Sequence, residues 1–228
     1  MNRFISMCLH VLPVPLKHKI MLQMVKQNYA VNDYNEHYRS SLERVGATQE
    51  YIINTFIQNL NTKPHILDLG CGNGAMYDRL LVSKGCTITG IDISPRQLES
   101  ARKLLPEQTF VLGDFVKFKP ACTFDGIVSF FSLYNIPRKL HKKVLRNCYK
   151  WLTDSGRMLI NVRFEEVGDV DYWKDWCGAP LVFSYYSAQA FMDMARSVGF
   201  YVTKFRVSHH NEYVWLILSK QGDLPDEM

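Results

Sequence analysis

Three glycines that follow a carboxylate, between residues 65 and 74, are the part of the sequence whose residue types and spacing could do chemistry. The apolar residues from His65 to Leu69 predict a strand covered on both faces, with a helix after the glycines. Gly70, Gly72 and Gly74 permit a tight turn at which the backbone can approach a ligand closely. Because an alanine comes next, the spacing also satisfies the dinucleotide-binding fingerprint. The segment therefore predicts a ligand site at the end of a strand.

Asp68 bears on which ligand this turn accepts. It stands two residues before the first glycine, close to where a dinucleotide would place its pyrophosphate, and two anions there would repel. A ligand with positive charge and no phosphate is favoured instead. The sequence ILDLGCGNG over residues 66–74 closely resembles the first motif of class I S-adenosylmethionine-dependent methyltransferases. That cofactor carries an ammonium and a sulfonium, and the resemblance implies that it is contacted by Asp68, Gly70, Cys71, Gly72, Asn73 and Gly74.

The elements that must position this turn have the pattern of an α/β protein. Apolar runs bounded by turn residues alternate with helical segments, and two adjacent strands are expected near the carboxyl terminus. The resemblance implies a Rossmann-like class I methyltransferase fold: a seven-stranded, mostly parallel sheet with an antiparallel C-terminal hairpin strand and helices on both faces. That hairpin favours S-adenosylmethionine over NAD. We expect strands at 65–69, 87–92, 109–115, 124–131, 156–162, 200–207 and 213–219.

Acids at the ends of the second and third predicted strands are further cofactor candidates. Asp92 lies about 20 residues beyond Gly70, the distance at which an acid reaches a ribose hydroxyl, and Ile93 beside it is expected to contact the cofactor. A solvent-facing turn is the alternative for Asp92. A carboxylate can accept the exocyclic amine of adenine while an aromatic ring packs on its face. The resemblance assigns these roles to Asp114 and Phe115, for which a plain turn is the alternative.

The loop after the fourth predicted strand is expected to face the ligand crevice, since the first and fourth strands flank the switch point of such a sheet. The resemblance puts cofactor contacts at Ser129 and Phe130 and the reaction near Tyr134. Methyl transfer is an in-line displacement in which positioning supplies much of the catalysis, although an acceptor can also need a base. Tyr134 is the catalytic candidate, ahead of His209 and His210.

Two aromatic segments outside these strands are expected to border the pocket. In the resembling family an amino-terminal segment rich in tyrosine and acids folds over the cofactor, which makes Tyr29 and Tyr34 candidates to close it. Packing of a helix on the sheet is the alternative. Residues 171–186 form an aromatic insert that either walls a substrate pocket or caps the edge of the core. The expected organisation is a helical cap at 1–60 within the same domain, a cofactor-binding domain at 61–220 and a tail at 221–228.

Composition narrows the class of protein. A chain of 228 residues with 47% hydrophobic and 21% charged residues fits one globular domain. The net charge of +5 permits an anionic partner without requiring one, so nucleic acid stays possible but is the lesser expectation. The six cysteines have no metal or redox spacing and predict reduced thiols in a cytoplasmic protein.

Secretion, membrane insertion and metal binding are not predicted. The apolar run at 4–12 lacks a small-residue cleavage site, and no segment approaches about 18 uninterrupted apolar residues. His209, His210 and Glu212 invite a metal interpretation, but strand alternation sends His209 to the opposite face from the other two. Only a bent turn would gather all three, and we predict no metal.

The sequence therefore predicts an S-adenosylmethionine-dependent methyltransferase acting on an O or N atom of a small, apolar or aromatic molecule. Residues 132–137 lack the Asn-Pro-Pro-Tyr pattern of enzymes that methylate the exocyclic amines of adenine or glutamine. Two alternatives stay open: methylation of RNA or protein, and a module that binds the cofactor without turnover. A dehydrogenase is the least favoured class because Asp68 conflicts with a pyrophosphate. The oligomeric state is left open.

Overall fold

The computed structural model describes residues 8–31, 47–58, 60–164, 169–206 and 213–222. Its centre is a seven-stranded sheet with the strand order β3-β2-β1-β4-β5-β9-β8. Strands β1 to β5 pair in parallel, whereas β9 is antiparallel to both β5 and β8. The sheet strands are β1 (His65–Leu69), β2 (Thr87–Asp92), β3 (Thr109–Leu112), β4 (Phe124–Ser129), β5 (Leu152–Arg163), β8 (Tyr201–Arg206) and β9 (Tyr213–Ser219).

Burial of the central strands explains why most of their residues are apolar. Ile66, Leu67 and Leu69 of β1 are fully buried, because apolar clusters lie against both faces of the sheet. Gly126 of β4 is opposite Ile66, and a Cβ there would lie 2.5 Å from Ile66 Cδ1. A close approach between β4 and its neighbours thus requires glycine at this position.

The helices alternate with the parallel strands and cover the sheet. Apolar residues of α2 and α3 join the cluster on one face, and those of α5 and α6 join the cluster on the other. In the described part of the chain, no helix is both long enough and apolar enough to cross a membrane. The helices are α1 (Val14–Val31), α2 (Ala47–Gln58), α3 (Tyr77–Ser83), α4 (Pro95–Leu104), α5 (His141–Trp151) and α6 (Ala188–Arg196).

The predicted fold class is confirmed, including the antiparallel carboxyl-terminal strand. Residues 157–163 of β5 pair with residues 213–219 of β9, which in turn pairs with β8. Because β1 and β4 are neighbours while the chain leaves them toward opposite edges of the sheet, a crevice opens beyond their carboxyl ends. The glycine turn after β1 and the loop after β4 both lie there.

Some strand boundaries differ from the prediction. β3 ends at Leu112 instead of residue 115, because Asp114 begins a turn in which its Oδ1 accepts a hydrogen bond from the Val116 N–H at 2.9 Å. β4 ends at Ser129, since Phe131 has a left-handed φ of +54° and donates its N–H to Asn161 Oδ1. β5 begins four residues earlier than expected, at Leu152.

The aromatic insert is a β-hairpin and not a loop. Strands β6 (Asp171–Trp176) and β7 (Ala179–Phe183) pair antiparallel through a turn at Cys177 and Gly178, which both have positive φ. This hairpin lies against α1, where Asn28 Nδ2 donates to the carbonyl oxygens of Trp176 and Ala179 at 2.7 and 3.0 Å. Helix and hairpin together therefore cover the crevice.

Candidate active site

A cleft of about 1290 Å³ lies at the carboxyl ends of β1, β2, β3 and β4. Its volume exceeds that of a typical small-ligand pocket of about 300 to 1000 Å³, so it has room for a nucleotide-sized cofactor and a second molecule. Most of the residues expected from the sequence line it. They are Tyr29, Asp68, Gly70, Cys71, Gly72, Asn73, Gly74, Asp92, Ile93, Asp114, Phe115, Phe130 and Tyr134.

The glycine turn has the backbone conformation for which glycine is suited. Gly70, Gly72 and Gly74 have φ of +82°, +56° and +68°. A Cβ on Gly70 would lie 2.4 Å from Cβ of Ser132, whose hydroxyl donates to the Leu69 carbonyl. The loop after β4 is thus packed directly on the turn after β1. This contact brings the two sides of the crevice together.

The Asp92 carboxylate links the turn after β1 to the turn after β2 through hydrogen bonds. Its Oδ2 accepts a hydrogen bond from the Gly72 N–H at 3.0 Å, and its Oδ1 accepts one from the Ser94 N–H at 2.8 Å. Burial raises the pKa of this carboxyl, although these hydrogen bonds act in the opposite direction. Each carboxylate oxygen has further lone pairs, so Asp92 can still accept a ribose hydroxyl in the cleft.

Asp68 lies in the cleft wall beside a second carboxyl, that of Asp78 in the first turn of α3. The two residues are only 4% and 1% exposed. Burial and the neighbouring Asp78 raise the pKa of Asp68 well above its ordinary value, and burial raises the pKa of Asp78 to about 6. Asp78 was missed from the sequence. The available signal was an acid at the start of the helix that follows the glycine turn.

These observations test whether the residues present fit S-adenosylmethionine. Within the described residues, Asp68 Oδ1 and both carboxylate oxygens of Asp78 have no hydrogen-bond partner although they are buried. Such oxygens suit a ligand that brings a cation with N–H donors. The glycines of the turn next to these carboxylates have no side chains, so a ligand can approach the backbone there closely. These acceptor oxygens therefore fit a cofactor with an ammonium and a sulfonium.

Asp114 and Phe115 lie at the far end of the same side of the cleft. His18 of α1 forms a hydrogen bond with Asp114, with 2.9 Å between Nε2 and Oδ2. Burial raises the pKa of Asp114, but hydrogen bonds from His18 and the Val116 N–H hold it below its ordinary value. His18 was missed from the sequence. It shares a helix face with Leu22, Val25 and Tyr29, which line the cleft, and that spacing was the available signal.

Aromatic side chains form the opposite end of the cleft, around Tyr134. The ring of Tyr134 lies 5.3 Å from that of Tyr185 and 5.5 Å from that of Phe183, measured between centroids. The hairpin contributes Trp176, whose ring is 5.0 Å from that of Phe183. Phe131 and Tyr213, with ring centroids 5.2 Å apart, continue the wall. This end of the cleft is suited to an apolar or aromatic molecule.

Sequence reasoning missed four of these aromatic residues as individuals. Trp176 and Phe183 lie in the insert that was considered as a pocket wall, while Phe131 follows a predicted cofactor residue and Tyr213 begins the last strand. All four line the cleft. The only signal was aromatic composition, which does not distinguish a pocket wall from a core.

One expected contact, Ser129, does not line the cleft. Ser129 is buried behind the cleft wall, where its Oγ forms a 2.8 Å hydrogen bond with Ser132 Oγ, so it supports the loop after β4. Tyr34 lies outside the described residues, as do His209, His210 and Glu212.

Comparison with known proteins gives a match over the part of the chain that carries the glycine turn. Residues 66–156 match the family described as "Methyltransferase domain". Trans-aconitate 2-methyltransferase of Delftia acidovorans is 48% identical over 59 residues, which cover 25% of this chain and 22% of that relative. The aligned part of this chain thus spans less than a quarter of the length of that relative.

Solved structures match over most of the chain. The PH0226 protein of Pyrococcus horikoshii has a TM-score of 0.69 at 19% identity, covering 86% of this chain and 99% of that one. The 1,6-didemethyltoxoflavin-N1-methyltransferase of Burkholderia thailandensis, solved with 1,6-didemethyltoxoflavin and S-adenosylhomocysteine, has a TM-score of 0.66 at 15% identity. That match covers 91% of this chain and 90% of the other. At these identities the likeness is one of fold.

Proposed function

Residues 66–156 form a class I S-adenosylmethionine-dependent methyltransferase domain, and from this premise we propose that the whole chain methylates a small apolar or aromatic molecule at an O or N atom. The predicted family, enzyme class and cofactor are confirmed by the family match. The acceptor and the activity of the complete protein are our proposal, with methylation of RNA or protein and a catalytically inactive binding module as the alternatives.

The observation that carries this proposal is the division of one cleft into an acidic end and an aromatic end. Asp68, Asp92 and Asp114 line the first, and Tyr134, Phe183 and Trp176 line the second. A methyl donor and its acceptor must meet in one space, and an aromatic wall favours a flat or apolar acceptor. The names of the relatives above, for trans-aconitate and for 1,6-didemethyltoxoflavin, refer to small molecules and support a small-molecule acceptor.

In the proposed reaction, residues of the cleft bind the donor, orient the acceptor and move a proton. When bound, S-adenosylmethionine supplies an electrophilic methyl group on a sulfonium with a good leaving group. The glycine turn and Asp92 fix the position of the donor, and the aromatic end orients the acceptor atom in line with it and excludes water. Tyr134 lies nearest this junction in the proposal, where its hydroxyl relays a proton: it takes the proton that the acceptor loses and gives its own proton to solvent.

The proposal includes a cytoplasmic location and a small-molecule partner. All six cysteines are free thiols in the structure, as expected for a reducing compartment. Lysines and arginines on α5 give the chain a basic surface away from the cleft, which is why RNA is kept as an alternative acceptor.

Calorimetric titration with S-adenosylmethionine, S-adenosylhomocysteine and NAD tests the donor, and transfer of labelled methyl groups tests the acceptor. We expect binding of the first two ligands alone, followed by methyl transfer to members of a panel of small phenols, aromatic amines and carboxylic acids. Transfer to tRNA or protein but not to the panel would overturn the small-molecule assignment. Binding without transfer to any acceptor would identify an inactive module, and binding of NAD alone would overturn the whole proposal.

A further inference from the structure

The wall of the cleft contains two buried carboxyls that lack a compensating cation. Asp68 comes from β1 and Asp78 from α3, and among the described residues neither forms an ion pair. Asp68 Oδ1 and both Asp78 oxygens accept no hydrogen bond from a described protein donor, and the two carboxyls lie within hydrogen-bonding range of each other. Asp78 Oδ2 faces the glycine turn, 3.3 Å from where a Cβ on Gly74 would be. Burying such a pair costs free energy unless a ligand completes it.

The groups around the pair add to its negative character. The Asp92 carboxyl on β2 acts on Asp68. The Cys71 thiol in the turn stays neutral, because burial and the carboxyls of Asp92, Asp78 and Asp68 raise its pKa. Arg79 follows Asp78 on α3 and lines the cleft, yet no ion pair joins it to either acid within the described part of the chain. Across these described residues, no group of three or more possible ligands has the arrangement of a metal site. An organic cation is therefore the occupant that the geometry favours.

We propose that Asp78 acts together with Asp68 as a binding site for the ammonium group of the cofactor's methionine moiety, and that this ammonium displaces a proton which the two carboxyls share in the empty protein. The inference rests on the proposed function, because it assumes that the cleft binds this cofactor. Two adjacent buried carboxyls cannot both ionise readily, so the empty pair retains a proton. An ammonium between them supplies N–H donors and positive charge, and the displaced proton passes to solvent.

The inference predicts how affinity depends on pH. The pKa of Asp78 is about 6 and that of Asp68 is raised well above its ordinary value, so the empty pair holds a proton at mildly acidic pH. Binding requires the ionised pair, and the affinity therefore rises with pH across this range and weakens as pH falls. A ligand without the ammonium should show no such dependence. The pair thus distinguishes ligands that carry the amino acid group from ligands that lack it.

Calorimetry with S-adenosylhomocysteine and with 5′-methylthioadenosine, which lacks the amino acid group, tests the inference. Titrations between pH 5.5 and 8 in two buffers of different ionisation enthalpy count the protons released. For the wild type we expect an affinity for S-adenosylhomocysteine about tenfold weaker at the acid end than at the alkaline end, with proton release on binding. For 5′-methylthioadenosine we expect neither effect.

The substitution Asp78→Asn keeps the shape of the side chain and removes its charge. We expect it to weaken binding of S-adenosylhomocysteine by about 10- to 100-fold and to reduce proton release, with little change for 5′-methylthioadenosine. The matched control is Asp193→Asn on α6, where the carboxyl is exposed at the protein surface and far from the cleft in the chain. Its binding should equal that of the wild type.

The outcomes separate this inference from the proposed function. Wild-type protein that binds S-adenosylhomocysteine without proton release and without pH dependence would overturn the inference and leave the function intact. Unchanged affinity and unchanged proton release in Asp78→Asn would do the same. Wild-type protein that binds neither ligand would overturn the proposed function itself. Retained binding of 5′-methylthioadenosine by the variant verifies that its cleft is folded.

Discussion

The acidic and aromatic ends of the cleft are constructed in different ways. The acidic end consists of backbone turns and short acidic side chains at the ends of β1, β2 and β3, held by local hydrogen bonds such as those of Asp92. The aromatic end consists of large rings from the loop after β4, the β6–β7 hairpin and β9, far apart in sequence. The first is determined mainly by backbone geometry and charge, and the second mainly by packing.

This difference indicates which end of the cleft tolerates amino-acid substitution. A turn with three left-handed glycines has little room for variation, because a side chain at any of them is strained. At Gly70 and Gly74 a Cβ would also meet a close neighbour. An aromatic wall can exchange one ring for another and still remain apolar. We therefore expect substitutions at the acidic end to affect donor binding and those at the aromatic end to affect the acceptor.

The largest expected effect is that of Gly70→Ala. Its Cβ would lie 2.4 Å from Ser132 Cβ, and its φ of +82° is strained for alanine. We expect a loss of about 3 kcal/mol in the free energy of unfolding, together with loss of cofactor binding. Gly85→Ala is the control, since its φ is +90° but a Cβ there meets nothing within 4 Å. It should cost about 1 kcal/mol and leave binding unchanged. Equal effects of both variants in denaturant titration and calorimetry would contradict the expected close packing at Gly70.

Tyr134→Phe tests the role of the Tyr134 hydroxyl where the acidic and aromatic ends of the cleft meet. It removes only the hydroxyl and preserves the ring packing against Phe183 and Tyr185. If the hydroxyl handles the acceptor's proton, kcat should fall by about 100-fold while the Kd for S-adenosylmethionine is unchanged. Steady-state kinetics over a range of pH measures this. An unchanged kcat would show that Tyr134 serves the aromatic end through packing alone.

Trp176→Ala should weaken binding of the acceptor without changing binding of the donor. The indole lines the cleft, and its removal leaves the acceptor with less apolar contact. We expect KM for the acceptor to rise about tenfold with the donor Kd unchanged. Trp173→Ala is the control, because Trp173 lies on the same hairpin and is 42% exposed. A weaker donor affinity in the Trp176 variant would mean that the two ends are not separate.

The smallest expected effect comes from His18→Ala, which removes the hydrogen bond from α1 to Asp114. We expect cofactor affinity to change by only about threefold, since one partner of a partly buried contact is lost. The pKa of Asp114 lies below its ordinary value of 3.8 in spite of burial, so this contact stabilises the fold above that pH and is lost as pH falls. Thermal melts of the wild type and the variant should therefore converge in acid. A constant difference down to pH 3 would contradict the assignment.

The sequence allowed the fold to be predicted in detail, and it named most of the residues that line the acidic end. The apolar runs of β1 and β2 indicated that the glycine turn and Asp92 stand where these strands end, whereas β3 ends two residues before Asp114. Asp78 and His18 were missed because each becomes visible only when a helix is placed against a particular strand. A helical residue shows which face it occupies but not which neighbour that face will meet.

The aromatic end was predicted only as a region. Trp176 and Phe183 belong to a hairpin whose strand pairing depends on a turn at Cys177 and Gly178. The sequence of residues 171–186 did not distinguish this hairpin from an irregular loop. Phe131 faces the cleft because of a left-handed φ that non-glycine residues rarely adopt. Such a conformation is imposed by the surrounding fold, here with the N–H bonded to Asn161, and local sequence does not reveal it.

Helix α1 contacts both ends of the cleft: His18 holds Asp114 at one end, and Asn28 holds the hairpin at the other. An element shared by two ligand sites couples their binding free energies when each ligand binds more tightly to one position of that element. A donor that binds one position of α1 more tightly shifts α1 toward that position and thereby changes the affinity for the acceptor. By thermodynamic reciprocity, the acceptor changes the affinity for the donor by the same factor. The donor and the acceptor of the proposed reaction would then bind cooperatively through α1, in addition to their direct contact at the methyl group.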